Sequence, residues 1–254
     1  MTVKSLVQSQ FGTHAEGYVS SEAHAKGYSL TRLIELLNPQ PGWRVLDIAT
    51  GGGHTALALA KRQVWTVAGD LTLQMLRTAR DFITGQDAAM QYVQLDAECL
   101  PFGANTFDAV TCRIAPHHFP QVADFVDEAA RLAKPGGVVA VIDQLSPGEP
   151  KAARYVNAFE RMRDPSHVWA YNSVEWEGFF VGAGLTVAHY EEFDTWHDLT
   201  PWAERMGCDE KTITRLRAML VNAPEVVAAW MKPKVPGTAD AAFVIRQFLL
   251  LGRK

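Results

Sequence analysis

The chain has 254 residues and a formal net charge of −4, and it is 48% hydrophobic and 20% charged, which is typical of a globular protein with one large domain. This acidic balance disfavours a nucleic-acid partner, because binding to phosphates requires clustered lysine and arginine. No apolar run approaches the roughly 20 residues of a membrane span, and the chain begins without the apolar stretch of a signal peptide. A cytoplasmic location is therefore expected.

Helices are predicted first, at 1–38, where SLTRLIELL is apolar at helical spacing. From Trp43, strand-like runs alternate with helix-like segments, the pattern of βαβ units in a parallel sheet. The strand-like runs are 43–48, 64–69, 91–95, 107–112 and 137–143, and the helix-like segments are 53–62, 72–84 and 121–133. The run at 137–143 is almost entirely apolar, which predicts a central strand covered on both faces.

Two more strands are predicted at 184–193 and 241–253, completing the sheet at one edge. Ligands of open parallel sheets bind beyond the carboxyl ends of the strands, so the additions at 146–178 and 195–235 predict a helical lid. We therefore expect a single domain over 1–254, with an N-terminal helical cap at 1–38, a ligand-binding core at 43–143 and this lid. The three tryptophans after residue 195 are predicted to be core residues: Trp196, Trp202 and Trp230.

The stretch VLDIATGGGH at 45–54 predicts a nucleotide-like ligand, because Gly51 and Gly53 let the backbone approach it and a helix begins directly afterwards. A phosphate-binding P-loop is disfavoured, since no Gly-Lys-Ser/Thr follows. A dinucleotide site remains an alternative. Gly51, Gly53 and Ala56 satisfy the G-x-G-x-x-G/A pattern, and Asp70 lies about 20 residues further on, where a ribose-binding acid is expected.

Asp47 separates the two interpretations. It ends the first strand just before the glycines, where a pyrophosphate would meet a like charge and a cationic ligand an opposite one. S-adenosyl-L-methionine (SAM) carries a sulfonium and an ammonium, so it suits this acid better than NAD. Asp70 ends the second strand and can accept two ribose hydroxyls. Asp96 ends the third, where it would meet the adenine edge.

Four stretches carry a family resemblance: VLDIATGGGHTALALA, VAGDLTLQMLRTAR, QLDAECLPFGANTFDAVTCRIAPHHF and LAKPGGVVAVID. Together they resemble the successive motifs of the class I SAM-dependent methyltransferases, and most closely those of the ubiquinone/menaquinone-biosynthesis (UbiE-like) type and its small-molecule relatives. The resemblance covers 43–143. It implies an α/β, Rossmann-like fold with a seven-stranded, mostly parallel sheet, an antiparallel last strand and helices on both faces. The cofactor would be SAM, with S-adenosyl-L-homocysteine (SAH) as product.

The resemblance also assigns cofactor contacts by position. The methionine portion would meet Ala49, Gly51 and Gly53, the ribose would meet Asp70 beside Leu71, the adenine would meet Asp96, Ala97 and Glu98, and Arg113 would lie near the methyl group. Ala49 stands where the family usually has its first glycine. Because a methyl side chain is small, we expect binding to survive this difference.

Methyl transfer requires a nucleophile held about 3 Å from the methyl carbon and shielded from water. His117 and His118 follow the fourth strand, so one of them is a candidate general base, with helix capping or a local hydrogen bond as the alternative. His167 in the lid is a candidate substrate contact, although Asp-Pro-Ser before it is ordinary turn sequence. No metal site is expected, because adjacent histidines point apart and Cys99, Cys112 and Cys208 are not spaced as ligands.

Three N-terminal aromatic residues, Phe11, Tyr18 and Tyr28, are candidates to close over the cofactor, with helix packing as the alternative. The sequence thus predicts a SAM-dependent methyltransferase that acts on a small metabolite of apolar, aromatic or quinone-like character. An NAD(P)-dependent oxidoreductase and a noncatalytic SAM-binding regulator are the alternatives. These motifs occur in methyltransferases that modify oxygen, nitrogen, carbon or sulfur, so they do not select the acceptor atom.

Overall fold

The computed structural model describes residues 2–19, 27–86, 88 and 90–254, with the side chains of 13–19 excepted. The described residues form a seven-stranded sheet in the order β3-β2-β1-β4-β5-β7-β6. The strands are β1 (Arg44–Ile48), β2 (Trp65–Asp70), β3 (Met90–Gln94), β4 (Phe107–Arg113), β5 (Ala133–Gln144), β6 (Thr186–Asp198) and β7 (Ala242–Arg253). The pairs from β3 to β5 are parallel, and β7 runs antiparallel to both of its neighbours, which confirms the predicted topology.

The helices surround this sheet, and those predicted at 53–62, 72–84 and 121–133 are present. They are α1 (Val3–Val19), α2 (Tyr28–Leu37), α3 (His54–Ala60), α4 (Leu73–Ile83), α5 (Val122–Leu132), α6 (Pro150–Arg163), α7 (Ser173–Gly182), α8 (Leu199–Glu204), α9 (Glu210–Val221) and α10 (Glu225–Met231). A short 3-10 turn, Pro116–His118, follows β4. None of the described helices is long and apolar enough to cross a membrane.

Strand β5 is covered on both faces, as its apolar run predicts. Val139 and Val141 belong to a buried cluster with Phe125 of α5 and Trp176 of α7. Ala140 and its alternating neighbours belong to a second cluster on the opposite face, packed by α2 and α3. Because successive strand residues point to opposite faces, burial on both sides requires an uninterrupted apolar sequence.

A third buried cluster joins α6, α8, α9 and α10 to the start of β7. We call residues 150–163 and 199–231 the helical cap, and this name does not include the N-terminal segment 1–38. Trp202 lies at its centre, stacked on Phe159 at 5.5 Å between ring centroids and edge-on to Phe243 at 4.8 Å. The cap is smaller than the predicted lid segments. Helix α7 packs on the sheet through the fully buried Trp176, and β6 continues to Asp198 because alternate residues stay half-buried along its whole length.

Candidate functional site

The glycine loop, residues 49–53, connects β1 to α3 and bends through three positive φ angles. Ala49, Gly51 and Gly53 have φ values of 52°, 55° and 83°. The loop is anchored by Thr50, whose backbone N–H donates to the Gly69 carbonyl at 2.9 Å. A left-handed conformation costs an L-residue with a side chain roughly 1–2 kcal/mol, so glycine is favoured at positions 51 and 53. Ala49 adopts this conformation in spite of that cost.

Gly53 is needed for a packing reason in addition to its φ. A Cβ at this position would lie 2.8 Å from Ile83 Cδ1 and 3.1 Å from Ala79 Cβ, both on α4. Gly53→Ala is therefore expected to lower the free energy of unfolding by about 2–4 kcal/mol, through combined backbone strain and overpacking. Urea denaturation measures this loss.

Gly184→Ala is the matched control for that substitution. Gly184 has a similar φ of 78°, but no atom lies within 4 Å of its hypothetical Cβ. Gly184→Ala should lower the free energy of unfolding by about 1 kcal/mol, from backbone strain alone. Equal losses for the two variants would show that α4 makes room for the methyl group at Gly53.

A cavity opens where the glycine loop meets the carboxyl ends of β1 to β4, and we call it the glycine-loop cavity. It brings together most of the predicted cofactor residues, namely Asp47, Ala49, Gly51, Asp70, Leu71, Asp96, Ala97, Glu98 and Arg113. Gly53 does not line it and acts instead through the packing on α4. Sequence reasoning missed the contributions of His54 and of Lys4 and Val7 on α1.

Asp70 holds the loop in place through both carboxylate oxygens. Its Oδ2 accepts the Gly51 N–H at 3.0 Å and its Oδ1 accepts the Thr72 N–H at 2.8 Å. The side chain is buried, and burial raises its pKa to about 6 although these N–H groups lower it in part. A carboxylate oxygen can accept more than one hydrogen bond, and Asp70 lines the cavity.

Asp47 lies deeper, beneath the loop, and is 1% exposed. It accepts hydrogen bonds from the hydroxyls of Thr50 and Thr111, each at 2.7 Å. Burial raises the pKa of Asp47 to about 6, and the nearby Asp70 carboxylate raises it further, while the two hydroxyls and Arg113 lower it. Two desolvated carboxylates in one cavity favour a ligand that carries positive charge.

Asp96 and Glu98 meet a lysine of α1 at the rim of the glycine-loop cavity. Lys4 Nζ lies 2.6 Å from Asp96 Oδ2 and 2.5 Å from Glu98 Oε2. The pair is partly exposed, so it contributes at most about 1 kcal/mol to stability. The contact nevertheless brings α1 over the predicted adenine position.

Arg113 connects the end of β4 to α3 and α2. Its Nε donates to Thr55 Oγ1 at 3.0 Å, and its Nη1 donates to Ser29 Oγ at 3.4 Å. Burial lowers its pKa to about 10, and Asp47 partly opposes that shift, so the guanidinium stays charged at neutral pH. Arg113 therefore offsets some of the negative charge of the two buried acids.

A second cavity of about 560 Å³ lies between the helical cap, β6 and the end of β4, and we call it the cap cavity. Its polar walls include His117, His118, Glu160 and Arg163. Its aromatic walls are Tyr28, Phe193, Trp196 and Trp202, of which the two tryptophans were predicted to be core only. The core prediction holds for Trp202, which is 3% exposed within the third buried cluster, and it is wrong for Trp196, which is 45% exposed. Trp230 is half-buried and packs against two of the clusters.

His117 forms a dyad with Asp143, a residue that sequence reasoning missed. His117 Nδ1 lies 2.6 Å from Asp143 Oδ1, and the His117 backbone N–H donates to Asp143 Oδ2 at 2.7 Å. A carboxylate only accepts, so Nδ1 carries the proton and neutral His117 leaves Nε2 as the acceptor. Burial lowers the pKa of His117, but the charge and hydrogen bond of Asp143, together with the charges of Glu160 and Asp164, raise it, and the net direction is upward.

His118 is held in a different state by different partners. Its Nδ1 lies 3.0 Å from the Ser166 backbone carbonyl, which only accepts, so Nε2 is again the unprotonated nitrogen. Burial, together with the nearby His117, lowers the pKa of His118 to about 3. The ring is therefore neutral at physiological pH, and it packs edge-on against Phe11 at 4.9 Å.

His167 does not line either cavity, contrary to its candidate role as a substrate contact. Its Nε2 lies 2.8 Å from Asn157 Oδ1, and its Nδ1 accepts from Gln144 Nε2 at 3.3 Å. The ring is 3% exposed, and its pKa is lowered well below the usual value, chiefly by burial. With both nitrogens in use, His167 ties the segment after α6 to β5.

The two cavities meet at Phe11, Ile114 and His118, which line both. Ile114 has a φ of 56°, an uncommon conformation for a β-branched residue, and its N–H donates to the Ile142 carbonyl at 2.7 Å. Strain of this kind is often found at functional sites. The geometry thus provides two adjoining compartments that share a wall of one aromatic ring, one imidazole and one strained backbone segment.

The three N-terminal aromatic residues do not share one location in the structure. Phe11 lines both cavities, as the prediction of a cover over the cofactor requires. Tyr28 lines only the cap cavity, where it meets Phe193 edge-on at 5.3 Å. The side chain of Tyr18 lies outside the described residues. Among the residues that are described, no group of three His, Cys, Asp or Glu side chains is arranged to hold a metal ion.

Comparison with known proteins connects this geometry to a family. A family model described as a methyltransferase domain matches residues 46–141. The uncharacterized methyltransferase YcgJ of Bacillus subtilis (strain 168) is 33% identical over 204 residues, which cover 79% of each chain. The UbiE ubiquinone/menaquinone biosynthesis C-methyltransferase of Ectopseudomonas mendocina (strain ymp) is 36% identical over 131 residues, 50% of this chain and 51% of that one. A crystal structure from Bacillus halodurans C-125 superposes with a TM-score of 0.85 at 34% identity, covering 90% and 99% of the two chains.

Proposed function

Because the chain belongs to the class I SAM-dependent methyltransferases, we propose that it binds SAM in the glycine-loop cavity and methylates a small molecule in the cap cavity. The adjoining cavities carry this proposal. One is lined by the residues that the family's motifs assign to SAM, and the other is closed by the helical cap. Since His118, Phe11 and Ile114 line both, molecules bound on the two sides would meet at that wall.

The residues of the glycine-loop cavity fit SAM. Asp47 and Asp70 are buried acids with raised pKa values, and a sulfonium or ammonium would stabilise their ionised forms. Asp70 retains lone pairs for ribose hydroxyls, and Asp96 and Glu98 lie at the rim for the adenine. When bound, SAM supplies an electrophilic methyl group.

The two histidines have different roles in this proposal. His117 is the general base, because Asp143 fixes its tautomer and raises its pKa, so that Nε2 can take a proton from the acceptor. His118 has a pKa of about 3 and is a weak proton acceptor. As a neutral ring that faces both cavities, it positions the acceptor against the cofactor.

The acceptor is a small molecule in this proposal, and the aromatic walls of the cap cavity favour one with an apolar or aromatic portion. The similarity to quinone C-methyltransferases spans about half of either chain. A quinone-like acceptor is therefore one member of the class to be screened, alongside other ring-bearing alcohols and amines.

Calorimetric titration of the purified protein with SAM, SAH, NAD and NADP tests the cofactor assignment. Micromolar binding of SAM and SAH is expected, with neither dinucleotide binding. Binding of NAD or NADP instead would favour the oxidoreductase alternative. SAH formation in a screen of small acceptors then separates an enzyme from a noncatalytic SAM-binding regulator.

A further inference from the structure

We propose that Glu160 anchors the methyl acceptor by accepting a hydrogen bond from its hydroxyl or amine group, so that the cap cavity selects hydrogen-bond-donating head groups over carboxylates. This inference rests on the proposed function, because it names the substrate class of the same site. It concerns a residue of α6 that neither the motifs nor the family resemblance indicates.

Glu160 is a buried carboxyl group of α6. It is 5% exposed and lines the cap cavity. Burial is the largest influence on the pKa of Glu160, which it raises to about 7. The carboxylates of Asp164 and Asp143 also raise this pKa, whereas the charges of Arg163 and His117 lower it. No hydrogen bond from the described residues reaches its side chain. A buried acid without a hydrogen bond is costly, and a ligand donor would remove that cost.

The acids around Glu160 disfavour an anionic head group. Asp143 is held by His117, and Asp164 accepts from the Ser166 N–H and hydroxyl at 2.9 Å and 2.6 Å. A ligand carboxylate would add a further negative charge to this group.

The cations of the cap cavity have other contacts. The Arg163 guanidinium lies 4.4 Å from the ring centroid of Trp202, and its Nε donates to the Trp202 carbonyl at 3.1 Å. Arg205 also has an interaction within the protein. The ring contact and the Nε hydrogen bond hold the Arg163 guanidinium against Trp202.

His197 on β6 also lines the cap cavity and adds no charge to it. His197 Nε2 is fully buried and has no partner among the described residues, and its ring packs 6.0 Å from that of Phe243. Burial lowers the pKa of His197 to about 4, so the ring is neutral.

The exposure of the walls sets the orientation of the acceptor. Glu160 and His117 are buried, whereas Tyr28 and Trp196 are 61% and 45% exposed. The acidic floor and the aromatic mouth together fit an amphipathic molecule whose donor group enters first and whose apolar body remains between the rings. This orientation brings the head group beside the His117 and Asp143 dyad.

The experiment uses SAH-loaded protein and three probes that share one ring and differ in one group: 2-phenylethylamine, 2-phenylethanol and phenylacetate. Calorimetry should give affinities at least tenfold higher for the amine and the alcohol than for the acid. Glu160→Gln, which preserves the shape of the side chain, should reduce the preference for the amine over the acid about tenfold. The exposed Glu177→Gln on α7 is the control and should leave that preference unchanged.

Three outcomes would overturn the inference: phenylacetate binding as tightly as the amine, an unchanged preference in Glu160→Gln, or no binding of any probe at millimolar concentration. Titration with SAH comes first. If SAH itself fails to bind, the proposed function fails. If SAH binds and the probes do not discriminate, only the role of Glu160 fails.

Discussion

Asp70→Ala is expected to weaken SAH binding by about 100-fold, because the variant loses a charged acceptor for two ribose hydroxyls. The substitution also removes the acceptor of the Gly51 and Thr72 N–H groups, so the glycine loop itself should loosen. A lower denaturation midpoint is therefore expected together with the lost affinity. Calorimetry and urea denaturation measure the two effects separately.

Asp108→Ala controls for the structural part of that effect. Asp108 also accepts a backbone N–H, that of Arg44 at 2.8 Å, and it pairs with Lys134, but it lies at the opposite end of the sheet from the cavity. Its loss should lower stability and leave SAH affinity within about twofold. If Asp70→Ala retains SAH affinity, the ribose assignment is wrong.

Local sequence was sufficient to predict the glycine-loop cavity. The loop, Asp47 and Asp70 lie within one βαβ unit, so a strand followed by glycines and a second acid-ended strand fixes their arrangement. The sheet was predictable for a similar reason, because the central strands β1, β4 and β5 are each marked by a largely apolar run. The role of Gly53 was missed because its close neighbours, Ala79 and Ile83, belong to the next helix.

The cap cavity was much harder to predict, since its polar groups come from distant segments. Asp143 carries a signal that was available, an acid at the end of a buried strand, as Asp47 is for β1. Glu160 lies four residues after Val156 on the buried face of α6, and an acid on an apolar face is another usable signal. The different protonation behaviour of His117 and His118 could not be predicted from the sequence, because it depends on partners 26 and 48 residues away.

His117→Gln is expected to reduce kcat by about 100-fold to 10,000-fold with SAH affinity unchanged, because the variant cannot take the acceptor's proton. Asp143→Asn should also lower kcat. Asp143 accepts hydrogen bonds from both Nδ1–H and the backbone N–H of His117. The Asn side chain has only one acceptor oxygen, so its NH₂ group would lie against the second N–H donor. SAH formation from the acceptor identified by screening is the measurement.

The pH profile separates a base from a residue that only supports the fold. Since the pKa of His117 is raised by Asp143, kcat should rise with pH through a value above 6.5, where the imidazole loses its proton. Asp143→Asn removes the negative charge and so lowers the pKa of His117. The rise of kcat with pH should therefore occur at lower pH in this variant, and the maximal kcat should be smaller.

His118→Gln provides the contrast, because the pKa of His118, about 3, lies far below the rising limb. Its loss can change KM or kcat but should leave the position of the limb unchanged. NMR titration of ¹³C-labelled histidine gives a second test that needs no acceptor, with His117 titrating above 6.5 and His118 remaining neutral. If the rising limb of the kcat profile stays fixed in Asp143→Asn and moves in His118→Gln, His118 is the base and His117 is not. If His117→Gln and His118→Gln are both fully active, neither histidine is a base and catalysis rests on positioning alone.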